Sequence, residues 1–79
     1  MFYTYVLKSV KTGKFYIGYS SDIAKRIEKH NNGKSRSTKS GIPWSLYYFE
    51  SYETKTEAIR RELEMKSWKS HKKLEQLLN

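Results

Sequence analysis

Two runs of aromatic and β-branched residues, 2–9 (FYTYVLKS) and 14–20 (KFYIGYS), are separated only by Val10-Lys11-Thr12-Gly13. Runs of that composition read as strands, and a Gly able to take positive φ in so short a link reads as the turn of a hairpin. The link also limits the pairing. A two-residue loop at Thr12-Gly13 or a four-residue loop over 10–13 puts odd residues of the first strand on the same side as even residues of the second, whereas a three-residue loop would break that parity. Tyr3, Tyr5 and Leu7 are therefore expected on one sheet face with Tyr16 and Gly18. Gly18 packs nothing itself and leaves room for another group to come against the backbone.

After the hairpin the period changes from two to that of a helix. Ser20-Ser21-Asp22 offers N-cap oxygens to a helix of about ten residues that stops at Asn31-Asn32-Gly33. Ile23, Ala24 and Ile27 form its apolar stripe, expected against the sheet. At ~100° per residue, Arg26 and His30 lie about 40° apart on the flank of that stripe, half-covered and able to point along the sheet surface. Residues 33–43, GKSRSTKSGIP, place Lys34, Arg36 and Lys39 among small hydroxyl residues with no apolar period until Ile42. They read as a basic surface loop suited to phosphate contacts, or as a solvated connector.

Residues 44–52, WSLYYFESY, read as a third strand with rings on both faces. Thr54-Lys55-Thr56-Glu57 then has the pattern of a capping box opening a helix that runs to about Lys66. Its apolar positions are Ala58, Ile59, Leu63 and Met65. Glu62 is expected on that inner side, and Glu57 and Glu64 on the outer one at ~100° per residue. Trp68, Leu74, Leu77 and Leu78 follow at helical spacing after a Ser70 N-cap and predict a short covering helix.

At 79 residues there is material for one core, so a single domain over 1–79 is expected. With 15% aromatic residues, that core must lean on rings. Lys and Arg number 16 against 8 Asp and Glu, a net charge of +8, which points to a polyanionic partner such as nucleic acid. The absence of Cys excludes disulfides, thiolate metal sites and thiol catalysis. No apolar run approaches the ~20 residues that cross a bilayer, and no signal-peptide pattern opens the chain, so a cytoplasmic location without membrane contact is expected.

Two tyrosines on one sheet face, an Arg and a His on the next helix and an inward Glu on the one after it suit phosphodiester hydrolysis. That reaction needs a deprotonated water, positive charge against the phosphate and help for the leaving oxygen. A lone carboxylate can hold a hydrated Mg²⁺. In this order, Tyr3-Thr4-Tyr5-Val6-Leu7, Tyr16-Ile17-Gly18, Arg26, His30 and Glu62 resemble the GIY-YIG nuclease superfamily. The likeness is closest to small stand-alone proteins related to the nuclease domain of the bacterial excision-repair endonuclease, and it extends over nearly the whole chain.

The resemblance implies an α+β fold: a three-stranded antiparallel sheet with the first strand central, flanked by about three helices. It implies that Tyr5 and Tyr16 position or activate the attacking water, that Arg26 stabilises the charge developing on the phosphate, that His30 assists as base, and that Glu62 binds a single Mg²⁺ or Mn²⁺. The first motif reads Tyr-Thr-Tyr here, keeping only the aromatic hydroxyl at Tyr5. The Asn that many members carry beyond the glutamate has no counterpart before Asn79.

The expected function is thus a metal-dependent DNA endonuclease of low or structure-based selectivity, in DNA repair or recombination, acting as a monomer or weak dimer. The alternative is a non-catalytic nucleic-acid-binding module that keeps the fold. Each residue also has an ordinary reading: Tyr5 and Tyr16 as strand residues, Arg26 as a surface charge, His30 as a helix-end residue, Glu62 as the i,i+4 partner of Lys66.

Overall fold

The computed structural model describes residues 1–68 and 71–78. Strands β1 (Phe2–Ser9) and β2 (Phe15–Ser20) form the expected hairpin. Ser9 and Lys14 close a four-residue loop through an N–H···O bond of 2.8 Å, and Gly13 takes φ 77° within it. Tyr5 pairs with Gly18 and Leu7 with Tyr16, which is the even-loop parity. Strand β3 (Trp44–Tyr52) pairs with the other edge of β1, giving an antiparallel sheet of order β2-β1-β3.

A β-bulge breaks the β1–β3 register. Val6 faces Tyr48 while Leu7 faces Leu46, so Tyr47 is the extra residue. The bulge shifts the alternation, so that Leu46 and Phe49, three residues apart, share one face while the adjacent Tyr47 and Tyr48 both pack on the other. Phe49 joins Tyr3 and Tyr5 on one side, with an edge-on contact to Tyr3 at 6.0 Å between ring centres. Tyr47 and Tyr48 join the core on the other.

Helix α1 (Ile23–Asn31) covers the face of Tyr5, Leu7 and Trp44 with Ile23 and Ile27. Asp22 caps its start by accepting from Lys25 N–H at 3.0 Å. Its end is a Schellman turn, in which Lys34 N–H reaches Lys29 C=O and Gly33 N–H reaches His30 C=O. Ala24 is a correction to the expected stripe. It is exposed and lines an open groove with Tyr3, Leu46 and Phe49.

Helix α2 (Lys55–Ser67) and helix α3 (His71–Glu75), followed by a 3-10 turn Gln76–Leu78, cover the opposite face. Met65 and Leu74 there join Val6 and Ile17, and Thr4 donates to Ala58 C=O at 2.8 Å. The predicted cap of α2 forms: Thr54 Oγ1 accepts from Glu57 N–H and donates to the Glu57 carboxylate. The inner face is Ala58, Glu62 and Met65, whereas Leu63 is 61% exposed. Spacing i, i+4, i+7 defines a narrower stripe than the four apolar residues suggested. The Ser70 N-cap expected for α3 lies outside the described residues. Among those described, no helix is long and apolar enough to cross a membrane.

Residues 33–43 also depart from expectation, since Arg36–Gly41 form a 3-10 helix. Thr38 and Gly41 within it are buried. Its carbonyls are claimed by distant donors: Trp44 Nε1 reaches Thr38 C=O at 2.7 Å, and Ser9 Oγ reaches Gly41 C=O at 2.6 Å. Asn31, at the end of α1, holds Trp44 N–H and C=O with its side-chain amide.

Candidate active site

The gap left by Gly18 is filled by Tyr5. A Cβ built on Gly18 would lie 2.6 Å from the Tyr5 hydroxyl oxygen and 2.8 Å from Cζ, so the hydroxyl end of the ring lies against the backbone of its cross-strand partner. That seat buries Tyr5 to 1% exposure. Burial removes water from the phenol and pushes its pKa to about 12; the Arg26 guanidinium opposes the rise by charge and hydrogen bonding, while Tyr16 and Glu62 add to it. Tyr5 therefore keeps its proton at neutral pH.

His30 lies behind it, 3% exposed. Its Nε2 is 3.3 Å from the Tyr5 hydroxyl and its Nδ1 is 2.8 Å from Thr38 Oγ1. The ring meets Tyr16 edge-on, with 4.9 Å between centres. Desolvation first, then the positive charges of Arg26 and Lys29, lower its pKa below 6.5, so the imidazole is neutral under ordinary conditions. His30 had been expected on the helix flank, half-covered. It is buried because the 3-10 segment folds over the end of α1 and closes the space around it.

Tyr16 and Arg26 are half-buried and form the accessible side of this group. Glu62 is 9% exposed on the inner stripe of α2, and its charge reaches the Tyr5 hydroxyl. One of its oxygens accepts an ion pair from Lys66 Nζ at 3.1 Å. Tyr5, Tyr16, Arg26 and His30 are thus assembled side by side, with Glu62 acting by its charge on Tyr5. Lys34, Arg36 and Lys39 are all exposed in the segment that seals His30, so this segment combines an exposed basic face with a buried hydroxyl. Thr38 is the residue that sequence reasoning did not single out. One hydroxyl among Ser35, Ser37, Thr38 and Ser40 carries no local signal of burial.

Among the described residues no group of three or more His, Cys, Asp or Glu could hold a metal ion. The donor set at Glu62 is a single buried carboxylate. It fits a hard cation that keeps most of its waters and shares the substrate's phosphate, as Mg²⁺ commonly does, and it does not fit a cation that needs an all-protein cage. The exposed Lys66, whose side chain is 49% accessible, can swing away from the carboxylate.

A family model described as the GIY-YIG catalytic domain matches residues 1–75. A UPF0213 protein of Staphylococcus saprophyticus is 48% identical over 73 residues, covering 91% of this chain and 88% of its own. One from Staphylococcus aureus strain Mu3 is 44% identical with the same coverage. The solution NMR structure of a UPF0213 protein from Bacillus halodurans superposes with a TM-score of 0.59 at 38% identity, covering 99% of this chain and 83% of that one.

Proposed function

The chain belongs to the GIY-YIG family, and from that premise we propose that it is an endonuclease hydrolysing DNA phosphodiester bonds with one Mg²⁺ or Mn²⁺ at Glu62. The observation that carries this reading is convergence on one hydroxyl. Helix α1 and strand β2 bring a guanidinium, an imidazole and a second phenol to Tyr5, and the carboxylate of Glu62 on α2 acts on it by charge. Core packing alone has no use for so many polar groups at one buried atom, since each costs desolvation unless paired.

In this reading Arg26 binds the scissile phosphate and stabilises the charge that grows on it. The half-exposed Tyr16 orients the attacking water. His30, neutral because its pKa is lowered, receives by way of the Tyr5 hydroxyl the proton that the water gives up. Glu62, freed from Lys66, would hold the cation with water ligands, and the cation would supply further positive charge against the phosphate oxygens. Lys34, Arg36 and Lys39 contact flanking phosphates, which position the strand without reading its sequence. A site of this kind selects by substrate shape, so flapped, nicked or branched DNA of the sort met in repair and recombination is the expected substrate.

The test is cleavage of single-stranded, flapped and nicked DNA by the purified protein with Mg²⁺ or Mn²⁺. Arg26→Ala and Glu62→Ala are each expected to slow it by about 10²-fold or more. No cleavage under either metal, or cleavage indifferent to both substitutions, overturns the proposal. The Lys66–Glu62 ion pair favours a second reading, a nucleic-acid-binding module without turnover. Affinity that falls steeply with salt and ignores Glu62→Ala would select it.

A further inference from the structure

The hydrogen-bond chain does not end at His30, and its far end decides which ring nitrogen bears the proton. Thr38 has one hydroxyl proton and two nearby groups to satisfy, His30 Nδ1 at 2.8 Å and Ser35 C=O at 3.3 Å. A carbonyl only accepts, and Ser35 C=O also takes Thr38 N–H at 3.2 Å; with the Thr38 proton on that carbonyl, the Thr38 oxygen is left to accept from Nδ1–H. The other end of the ring favours the same arrangement, so the two contacts select it together. The buried Tyr5 hydroxyl must place its proton, and Arg26 beside it is a donor only. His30 Nε2, 3.3 Å away, is the acceptor available to it, and it can accept only when it carries no proton. Among the described residues no buried side-chain polar atom lacks a partner, as this arrangement requires.

We propose that Thr38 is a positioning residue of the site: by accepting from His30 Nδ1–H it fixes one imidazole tautomer and presents an unprotonated Nε2 to Tyr5 as the terminal proton acceptor. The inference rests on the nuclease reading for its chemical purpose, although the tautomer itself does not depend on it. In the transfer step Tyr5 takes the water's proton on its oxygen and passes its own to Nε2. His30 becomes an imidazolium with Nδ1–H still bonded to Thr38, the hydroxide displaces the leaving oxygen from phosphorus, that oxygen takes a proton from solvent, and His30 resets by releasing its Nε2 proton. Thr38 itself is held by elements distant in sequence. Its carbonyl is pinned by Trp44 Nε1, and Trp44 in turn is clamped by Asn31 on α1. The hydroxyl is therefore fixed relative to the helix that carries His30.

The experiment is nitrogen-15 NMR of the His30 ring at pH 7.5, assigned by comparison with His30→Asn, on wild type, Thr38→Val and Thr38→Ser. Wild type and Thr38→Ser are expected to show a protonated Nδ1 and a bare Nε2, and Thr38→Val a mixture or the reverse tautomer. On flapped DNA with Mg²⁺, Thr38→Val is expected to lower kcat about tenfold with KM within about twofold, and Thr38→Ser to restore it. A wild-type Nε2–H tautomer, or a Thr38→Val ring unchanged from wild type, overturns the proposal. If the valine variant fails to fold, seen as lost amide dispersion, the wild-type tautomer decides. A protein that cuts no DNA overturns the nuclease reading alone, because the tautomer is read without turnover.

Discussion

Gly18 and Tyr5 set the position of the site's buried phenol. A methyl group at residue 18 would meet the Tyr5 ring at distances no real Cβ tolerates, so Gly18→Ala is expected to displace the phenol from His30. Overpacking of this kind costs about 1–3 kcal/mol, and cleavage should fall further than stability, with denaturant melts and rates measured on the same sample. Lys66→Ala removes the cation paired with Glu62. It is expected to lower severalfold the Mg²⁺ concentration needed for half-maximal cleavage, by the mass action of a released competitor; an unchanged requirement would mean that Glu62 is not the ligand. The direction of pH dependence follows from His30. Its folded pKa lies below 6.5, so the imidazole stays neutral through neutrality, and with His30 as the proposed base the rate is expected to decline only as pH falls through that lowered value. A pH–rate profile with Thr38 and Tyr16 intact tests this.

At the scale of elements, α2 is fastened to the sheet by a polar network on the face away from Tyr5. Glu50 of β3 accepts hydrogen bonds from Tyr48 and Tyr52 and a two-point contact from Arg61, at 2.8 and 3.1 Å. Burial works against the charged carboxylate, but the hydrogen bonds of Arg61, Tyr48 and Tyr52 together outweigh it and hold the pKa below 4.5. A depressed folded pKa gives stability that is present above the unfolded value and lost as pH falls through the folded one. Glu50→Gln is therefore expected to cost about 1–3 kcal/mol at pH 7, with the gap to wild type closing in urea melts taken below pH 4. The 3-10 segment behaves differently: it holds few apolar side chains, and its place comes from carbonyls and hydroxyls bonded to Ser9, His30 and Trp44.

Across the whole molecule the excess of eight positive charges sets how it meets a polyanion. Binding to DNA should weaken linearly in log–log plots against salt, and each phosphate contact contributes about 0.9 to that slope. Replacing Lys34, Arg36 and Lys39 together with Ala is expected to reduce the slope by roughly 2–3 and leave the melting temperature within a few degrees, because all three side chains are exposed. An unchanged slope would mean that the basic segment faces away from the strand.

What the sequence determined by itself was local and periodic. Strand alternation, an even hairpin loop, Asp22 and Thr54 as caps and an inward Glu62 all follow from spacings of a few residues, and the order of residues from Tyr5 to Glu62 was enough to place the family. What it could not determine was which distant group fills a space or takes a proton. Tyr5 against Gly18, Thr38 behind His30, Lys66 on Glu62 and the exposure of Ala24 and Leu63 depend on how helices and the 3-10 segment seat on a bulged sheet. A period says which side of an element faces inward. The width of the covered stripe and the identity of the neighbour are settled only when the elements pack, because those contacts join residues far apart in the chain.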